Sequence, residues 1–188
     1  MTSPYTQSYV SWGAVLAGAV VATAISGVML QFVSAVGLAN TDQLTSNLAA
    51  VSAGGVLAIG IWLLWVQLMA SIIGGYIAGR LRQPVENASS HESEVRDGAH
   101  GLLVWATGTV AVFAAAGLAA AVAALAPTTN AMVTGTSPEL EKTVSVIFAF
   151  AMGATSLVSA VASWFAATKG GDHRDSGVDL SKYLSFKH

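Results

Sequence analysis

The densest group of potentially reactive side chains lies between His91 and His100. His91, Glu94 and Asp97 recur at a spacing of three residues, which brings them to neighbouring positions if the segment is helical. Imidazole and carboxylate groups in such an arrangement can bind a metal ion or transfer protons. The same composition is typical of a solvated polar loop, and this is the favoured interpretation. No catalytic residue and no metal ligand is therefore predicted.

The sequence contains few other signals for a cofactor site. Haem b in a helical bundle usually needs paired histidines facing each other, whereas the four histidines of this chain lie in predicted loops or at helix ends. Gln31 and Gln67 are the largest polar side chains at membrane depth; they predict interhelical hydrogen bonds, with a quinone or solute site as the alternative. Phosphate-loop, dinucleotide and nucleophile-elbow patterns are absent. No cofactor is predicted, and membrane lipids are the expected ligands.

The elements that position these residues are predicted to be membrane helices. The chain is 54% hydrophobic and 10% charged, whereas soluble domains carry about 25% charged residues. Its charges are separated by four uncharged stretches, each long enough for one crossing of about 20 residues. The fold class is therefore all-α, a four-transmembrane-helix bundle. The predicted helices cover about 12–39, 55–79, 101–126 and 143–168, and a polar tail covers 169–188.

The distribution of Lys and Arg predicts the orientation. Seven basic residues lie in the loop between helices two and three or in the tail, against Lys142 alone on the other side. Because short cytoplasmic loops are enriched in Lys and Arg, both termini are predicted to be cytoplasmic. The net charge of −2 gives no reason to expect a nucleic-acid partner. Five aromatic residues that suit a membrane interface fall near the same side: Tyr9, Trp12, Tyr76, Trp105 and Trp164.

Two internal patterns bear on how the helices pack. A shift of 88 residues lays 71–79 over 159–167, which predicts a parallel duplication of a two-helix hairpin; chance similarity between alanine-rich helices is the alternative. Small residues at a spacing of four predict close helix contacts, within the bundle or against a partner. The predicted packing positions are Gly13, Ala14, Gly18, Ala22, Ser71, Gly75, Gly79, Ser159 and Ser163.

Three motifs form an ordered set along the chain. They are SWGA with AGA in 11–19, GGYIAGRL in 74–81, and DGAHGL followed by Trp105 in 97–105. With these motifs the chain resembles, over roughly residues 8–120, a group of small bacterial inner-membrane proteins, some labelled "PhnA-like". The resemblance implies a bacterial inner-membrane location and brings no activity and no catalytic residue.

The shared residues cluster at the predicted cytoplasmic ends of helices one to three. Arg80 and Asp97 are expected to pair, and His100 is expected to hydrogen-bond a backbone carbonyl. A structural role that fixes the loop is the favoured interpretation, and a binding site for a headgroup, ligand or partner is the alternative. The predicted cluster consists of Trp12, Arg80, Asp97, His100 and Gly101.

The leading functional hypothesis is a non-catalytic accessory or scaffold protein. It would pack against another integral membrane protein or against a second copy of itself. The stripes of small residues and the lack of ionisable groups at membrane depth favour it. The alternatives are a small oligomeric channel or solute facilitator, and a membrane enzyme or redox subunit that uses the His91–His100 segment.

Overall fold

The described part of the chain folds into four long helices. The computed structural model describes residues 8–39, 53–85, 88–125 and 138–177. Each helix contains a stretch long and apolar enough to cross a membrane, so the prediction of an all-helical chain with four candidate membrane helices is confirmed. The helices are α1 (Trp12–Ala39), α2 (Ala53–Leu81), α3 (Ser90–Leu125) and α4 (Pro138–Asp175).

The two central helices are α2 and α3, and both α1 and α4 pack against each of them. The starts of α1 and α3 meet the ends of α2 and α4 at one end of the bundle. We call this the arginine end, because Arg82 and Arg174 lie there. Helices adjacent in sequence therefore run in opposite directions, whereas α2 and α4 run in the same direction.

Helix α3 begins at Ser90, well before the predicted start near residue 101. Ser89 precedes its first residue, and the Ser89 hydroxyl accepts a hydrogen bond from the Glu92 N–H at 3.2 Å. This is the helix-capping spacing of Ser and Glu three residues apart. One turn later, Glu92 pairs with Arg96. Most of the polar stretch expected as a loop is therefore the first part of α3.

Helix α4 starts at Pro138, a residue suited to the first helical position. The predicted end at Lys169-Gly170-Gly171 is wrong, since the helix continues to Asp175. A glycine in a helix interior costs about 1 kcal/mol, but these two lie against neighbouring groups, the Tyr76 carbonyl and the Asp97 carboxylate. Close packing offsets that cost. The turn that follows the helix contains Gly177, whose φ is 63°.

Buried side chains are concentrated near the arginine end. Val15, Ala19, Ala78 and Val104 form the apolar core there. Farther along α3 and α4, every residue of 110–115 and 149–154 is exposed. Six consecutive residues cover the whole circumference of a helix with 3.6 residues per turn. These two segments, which we call the distal segments, therefore bury no face against the rest of the chain.

Some sequence predictions fall outside the described residues. They concern the connections at 40–52 and 126–137, and the tail beyond Gly177. The predicted order of the helices and the position of α1 agree with the structure.

Candidate functional site at the arginine end

Asp97 lies at the centre of the arginine end, with its side chain only 2% exposed. Its Oδ1 accepts a hydrogen bond from Nε of Arg82. Arg174 donates to both carboxylate oxygens, from Nη1 to Oδ1 and from Nη2 to Oδ2, each at 3.2 Å. We call these three residues the ion cluster. They come from the end of α2, the start of α3 and the end of α4, so the cluster joins three helices.

Arg174 also binds the end of α2 directly. Its Nη1 donates to the carbonyl oxygens of Gly79, at 2.7 Å, and Arg82, at 3.1 Å. The last carbonyls of a helix have no partner within that helix, so the guanidinium group supplies one from α4. Asp175 holds the other side of Arg174, with a distance of 2.7 Å between Nε and Oδ1. The orientation of Arg174 is therefore fixed by both charge and backbone contacts.

The arginine that α2 contributes to Asp97 differs from the one expected. The sequence predicted Arg80, whereas the hydrogen bond comes from Arg82. Two residues correspond to about 200° of rotation around a helix, so the two side chains leave α2 on nearly opposite sides. Spacing alone did not reveal which of the two faces α3.

His100 is a second link at this end, with its side chain 1% exposed. Its Nδ1 lies 2.7 Å from the carbonyl oxygen of Arg96, and its Nε2 lies 2.9 Å from the backbone nitrogen of Ser11. Since a carbonyl only accepts and a backbone N–H only donates, Nδ1 carries the proton and Nε2 accepts. The hydrogen bond from His100 to a backbone carbonyl, which the sequence predicted, is present. Because Nε2 accepts a hydrogen bond from Ser11, it carries no proton, and the imidazole is neutral.

Through His100, the first turn of α1 is attached to α3. The carbonyl oxygen of Ser11 accepts from the N–H groups of Ala14 and Val15, at 3.0 and 3.1 Å. Ser11 thus begins the hydrogen-bonding pattern of α1, and its own N–H would have no helical partner. His100 supplies that acceptor. Together with the ion cluster, this contact joins all four helices at the arginine end.

The spacing of His91, Glu94 and Asp97 does not produce a shared site. Asp97 is buried, whereas His91 and Glu94 are exposed. A step of three residues rotates by about 300°, so two such steps leave the first and last side chains about 120° apart. Within the described ranges, no group of three or more His, Asp or Glu residues could hold a metal ion. His173 instead faces Tyr76, with 3.1 Å between Nδ1 and the phenol oxygen.

Glycine and serine residues set the helix contacts below the ion cluster. A Cβ atom on Gly74 of α2 would lie 2.7 Å from the Gly18 carbonyl of α1. A Cβ atom on Gly75 would lie 2.5 Å from the Ser163 carbonyl of α4. The Ser163 hydroxyl donates to the Gly101 carbonyl of α3 at 2.7 Å. Backbones therefore touch at these positions, and α4 lies in a groove between α2 and α3.

The remaining predicted positions divide into buried and exposed ones. Ser71 and Ser159 are buried on α2 and α4, and Gly79 packs against the backbone of Ala167. Gly13 has open space around it, and Trp12 is largely exposed. Ala14 is buried, Ala22 and Gln67 are half-buried, and Gln31 is exposed.

Several residues of the site were not predicted as part of it. Gly98 packs against the indole ring of Trp164, and Gly170 against the end of α2. Ser11, Arg82 and Arg174 were missed as well. A usable signal existed for Gly98 alone, because it is a single glycine inside a helical segment, where a glycine often marks a close contact. The two arginines give no such signal.

No protein-family model, no curated protein and no solved structure matches this chain. Its function must be argued from its own geometry.

Chemically, the site resembles a structural joint more than a reactive centre. Asp97 is held between two guanidinium groups, and both nitrogens of His100 are engaged. A general base needs a free lone pair within reach of its substrate. His100 has no free lone pair, and the charge of Asp97 is compensated by two arginines from other helices, so the arrangement is best suited to holding four helix ends in a fixed position.

Proposed function

We propose that this protein is a non-catalytic accessory or scaffold protein of the bacterial inner membrane that packs against another integral membrane protein. The observation that carries the proposal is the uneven packing of the helices along their length. The arginine end is closed by backbone contacts and an ion cluster, whereas the distal segments bury no face within the chain. Phe113 and Phe150, one on each segment, are 73% and 80% exposed.

Unburied distal segments favour a protein partner because of how membrane helices associate. Between helices in lipid there is little hydrophobic drive, and close packing supplies the stabilisation. A helix that packs in a bundle buries one stripe, yet the distal segments of α3 and α4 bury none. Alanine occupies three of the six positions in each segment, which allows another helix to approach closely. The partner is therefore expected to contact these segments.

The arginine end supports the orientation with both termini in the cytoplasm. Arg80, Arg82, Arg96, Lys169 and Arg174 all lie at or near this end of their helices. An excess of Arg and Lys marks the cytoplasmic side. The resemblance to small bacterial inner-membrane proteins supports a location in the bacterial inner membrane.

The parallel duplication is part of the proposal, and the contact between α2 and α4 supports it. Gly75 packs against Ser163, and Gly79 packs against Ala167. The partners in each pair are 88 residues apart, which is the offset of the internal repeat. When two repeats pack around an axis along the membrane normal, equivalent residues meet at that axis.

The test combines native mass with site-directed cross-linking. The protein, tagged at its C-terminus, is extracted gently from its own membrane, and its mass is measured. A photoreactive residue is placed at Phe113 or Phe150, with Phe165 as the control, because that aromatic residue is also exposed (66%) but lies near the arginine end. We expect a larger complex, with cross-links to one protein from the two distal positions only.

Other outcomes distinguish the alternatives. Cross-links to a second copy would indicate a homo-oligomer, and flux assays in liposomes would then test the channel alternative. A monomeric mass together with cross-links to lipid alone would contradict the proposal.

A further inference from the structure

A groove opens at the arginine end, beside the ion cluster. It has a volume of about 480 Å³ and lies between the segment before α1, the end of α2 and the start of α3. That volume falls within the usual range of small-molecule sites, about 300–1,000 Å³. The groove therefore has room for a compact polar group with part of an attached chain.

The polar side of the groove is formed by arginine and serine. Arg82 and Arg96 line it together with Ser8 and Ser11, and no carboxylate is among the described residues that line it. Asp97 and Glu92 contact the two guanidinium groups but do not line the groove. The described lining thus presents guanidinium donors to an occupant and contributes no acidic group that would bind an amine.

Arg82 has a donor that the protein itself does not use. The residue is 3% exposed. Its Nε donates to Asp97 and its Nη1 to the Gln83 carbonyl, whereas its Nη2 is buried and has no hydrogen-bond partner in the part of the chain that is described. Buried polar groups in folded proteins nearly always have a partner. This nitrogen therefore indicates a missing acceptor in or next to the groove.

Arg96 is oriented by contacts that leave part of its guanidinium group available. Nε and Nη2 donate to Oε1 of Glu92, at 3.0 and 2.6 Å. The carbon of the guanidinium group lies 3.8 Å from the centre of the Tyr9 ring. Neither contact uses Nη1. A second fixed donor group thus lines the same groove.

The other side of the groove is apolar. Val10, Ala14, Leu81 and Val85 contribute to it, and the exposed Trp12 lies on the adjacent turn of α1. Tryptophan is enriched at the level of lipid headgroups. A ligand that fits both sides has an acidic oxygen group joined to an apolar part, and guanidinium groups bind phosphate oxygens through strong charge-assisted hydrogen bonds.

We propose that this groove binds the headgroup phosphate of an anionic glycerophospholipid. Nη2 of Arg82 and the guanidinium group of Arg96 donate to the phosphate oxygens, and the apolar side contacts the glycerol and the first part of the acyl chains. This site is independent of the distal segments and of any protein partner there.

The proposal is tested by native mass spectrometry of the delipidated full-length protein. Phosphatidylglycerol is titrated against phosphatidylcholine, and sn-glycerol 3-phosphate serves as a soluble probe. We expect one tightly bound phosphatidylglycerol per chain, at least about tenfold tighter than phosphatidylcholine. Both lipids offer phosphate oxygens, but the ammonium group of phosphatidylcholine adds a positive charge near Arg82 and Arg96, and such repulsion at a protein surface amounts to about one tenfold step in affinity. The soluble phosphate is expected to bind far more weakly.

Two variants and a matched control connect the binding to the groove. Arg82→Lys keeps the charge next to Asp97 but loses the unused nitrogen, and Arg96→Gln removes the second donor group. Each is expected to weaken phosphatidylglycerol binding about tenfold. Lys169→Gln removes an exposed charge at the same end, outside the groove, and is expected to have no effect.

Three results would overturn the proposal. Equal binding of phosphatidylcholine would mean that the groove does not distinguish an anionic headgroup from a zwitterionic one. Tight binding of sn-glycerol 3-phosphate would assign the groove to a soluble phosphate instead. Unchanged binding in Arg96→Gln would exclude the groove as the site, and this variant decides the question even if Arg82→Lys does not fold.

Discussion

At the scale of residues, Asp97 is the side chain on which the arginine end depends most. Burial of a charged group is unfavourable unless it is paired and hydrogen-bonded. Asp97 meets this condition through Arg82 and Arg174, and each of those arginines depends in turn on Asp97. Removing Asp97 leaves Arg82 buried without its carboxylate partner, which is far more harmful than losing an exposed ion pair.

We predict that Asp97→Asn destabilises the protein by about 3–5 kcal/mol, the range for breaking a buried ion pair. The substitution preserves the size of the side chain and removes its charge, so the buried Arg82 loses the carboxylate it is paired with and Arg174 keeps only Asp175. Thermal unfolding in detergent measures the effect. Glu94→Gln is the control, because Glu94 is an exposed carboxylate on the same helix. Similar stability of the two variants would show that the ion cluster does not hold the helices together.

At the scale of elements, glycine allows two pairs of helices to touch along their backbones. Gly74 meets Gly18 between α2 and α1, and Gly79 meets Ala167 between α2 and α4. Such close approach is the main source of packing energy between membrane helices. Other glycines, such as Gly108 on α3, have open space where a Cβ atom would lie. The same residue type is therefore essential at some positions and replaceable at others.

We predict that Gly79→Ala and Gly108→Ala have opposite effects on stability. The Cβ atom at position 79 would overlap the backbone of Ala167, so α2 and α4 must separate, at a cost of about 1–3 kcal/mol. At position 108 the methyl group meets nothing within 4 Å, and the better helix former stabilises α3 by up to about 1 kcal/mol. Unfolding midpoints measured side by side check this prediction, and a neutral Gly79→Ala would disprove the close contact.

At the scale of the whole molecule, the arginine end is closed by contacts among all four helices, whereas the described distal segments of α3 and α4 are exposed. The ion cluster, His100 and the backbone contacts all lie within the arginine end. The distal segments of α3 and α4 gain nothing from these interactions. This division assigns the two proposals to different regions, with a protein partner at the distal segments and a lipid phosphate at the arginine end.

The proposed orientation leads to a labelling prediction that this chain makes simple to test, since it has no cysteine. Ser176→Cys places a thiol just after α4, at the arginine end, and Ser137→Cys places one just before α4, at its opposite terminus. With the arginine end in the cytoplasm, a membrane-impermeant maleimide labels position 137 in intact spheroplasts and position 176 only after permeabilisation. The reverse pattern would invert the topology.

The sequence predicted the helices well because membrane crossing imposes a length and a lack of charge that can be counted directly. The predicted helix starts and ends were less accurate where they lie outside the apolar stretches. Ser89 and Glu92 carried a capping signal that places the start of α3 correctly. Gly170 and Gly171 carried a misleading signal, because a glycine pair marks a helix end unless another helix packs against it.

By itself, therefore, the sequence determined that the chain carries four helices able to span a membrane, and it placed Asp97 and His100 in one cluster. Only the tertiary structure decided which groups these residues meet. Asp97 binds Arg82 and Arg174, and His100 binds the start of α1, contacts that join residues 15 to 89 positions apart. Hydropathy is a property of each segment alone, whereas pairing depends on the rotation of each helix about its axis. That rotation is set by packing against the other helices, and no local pattern records it.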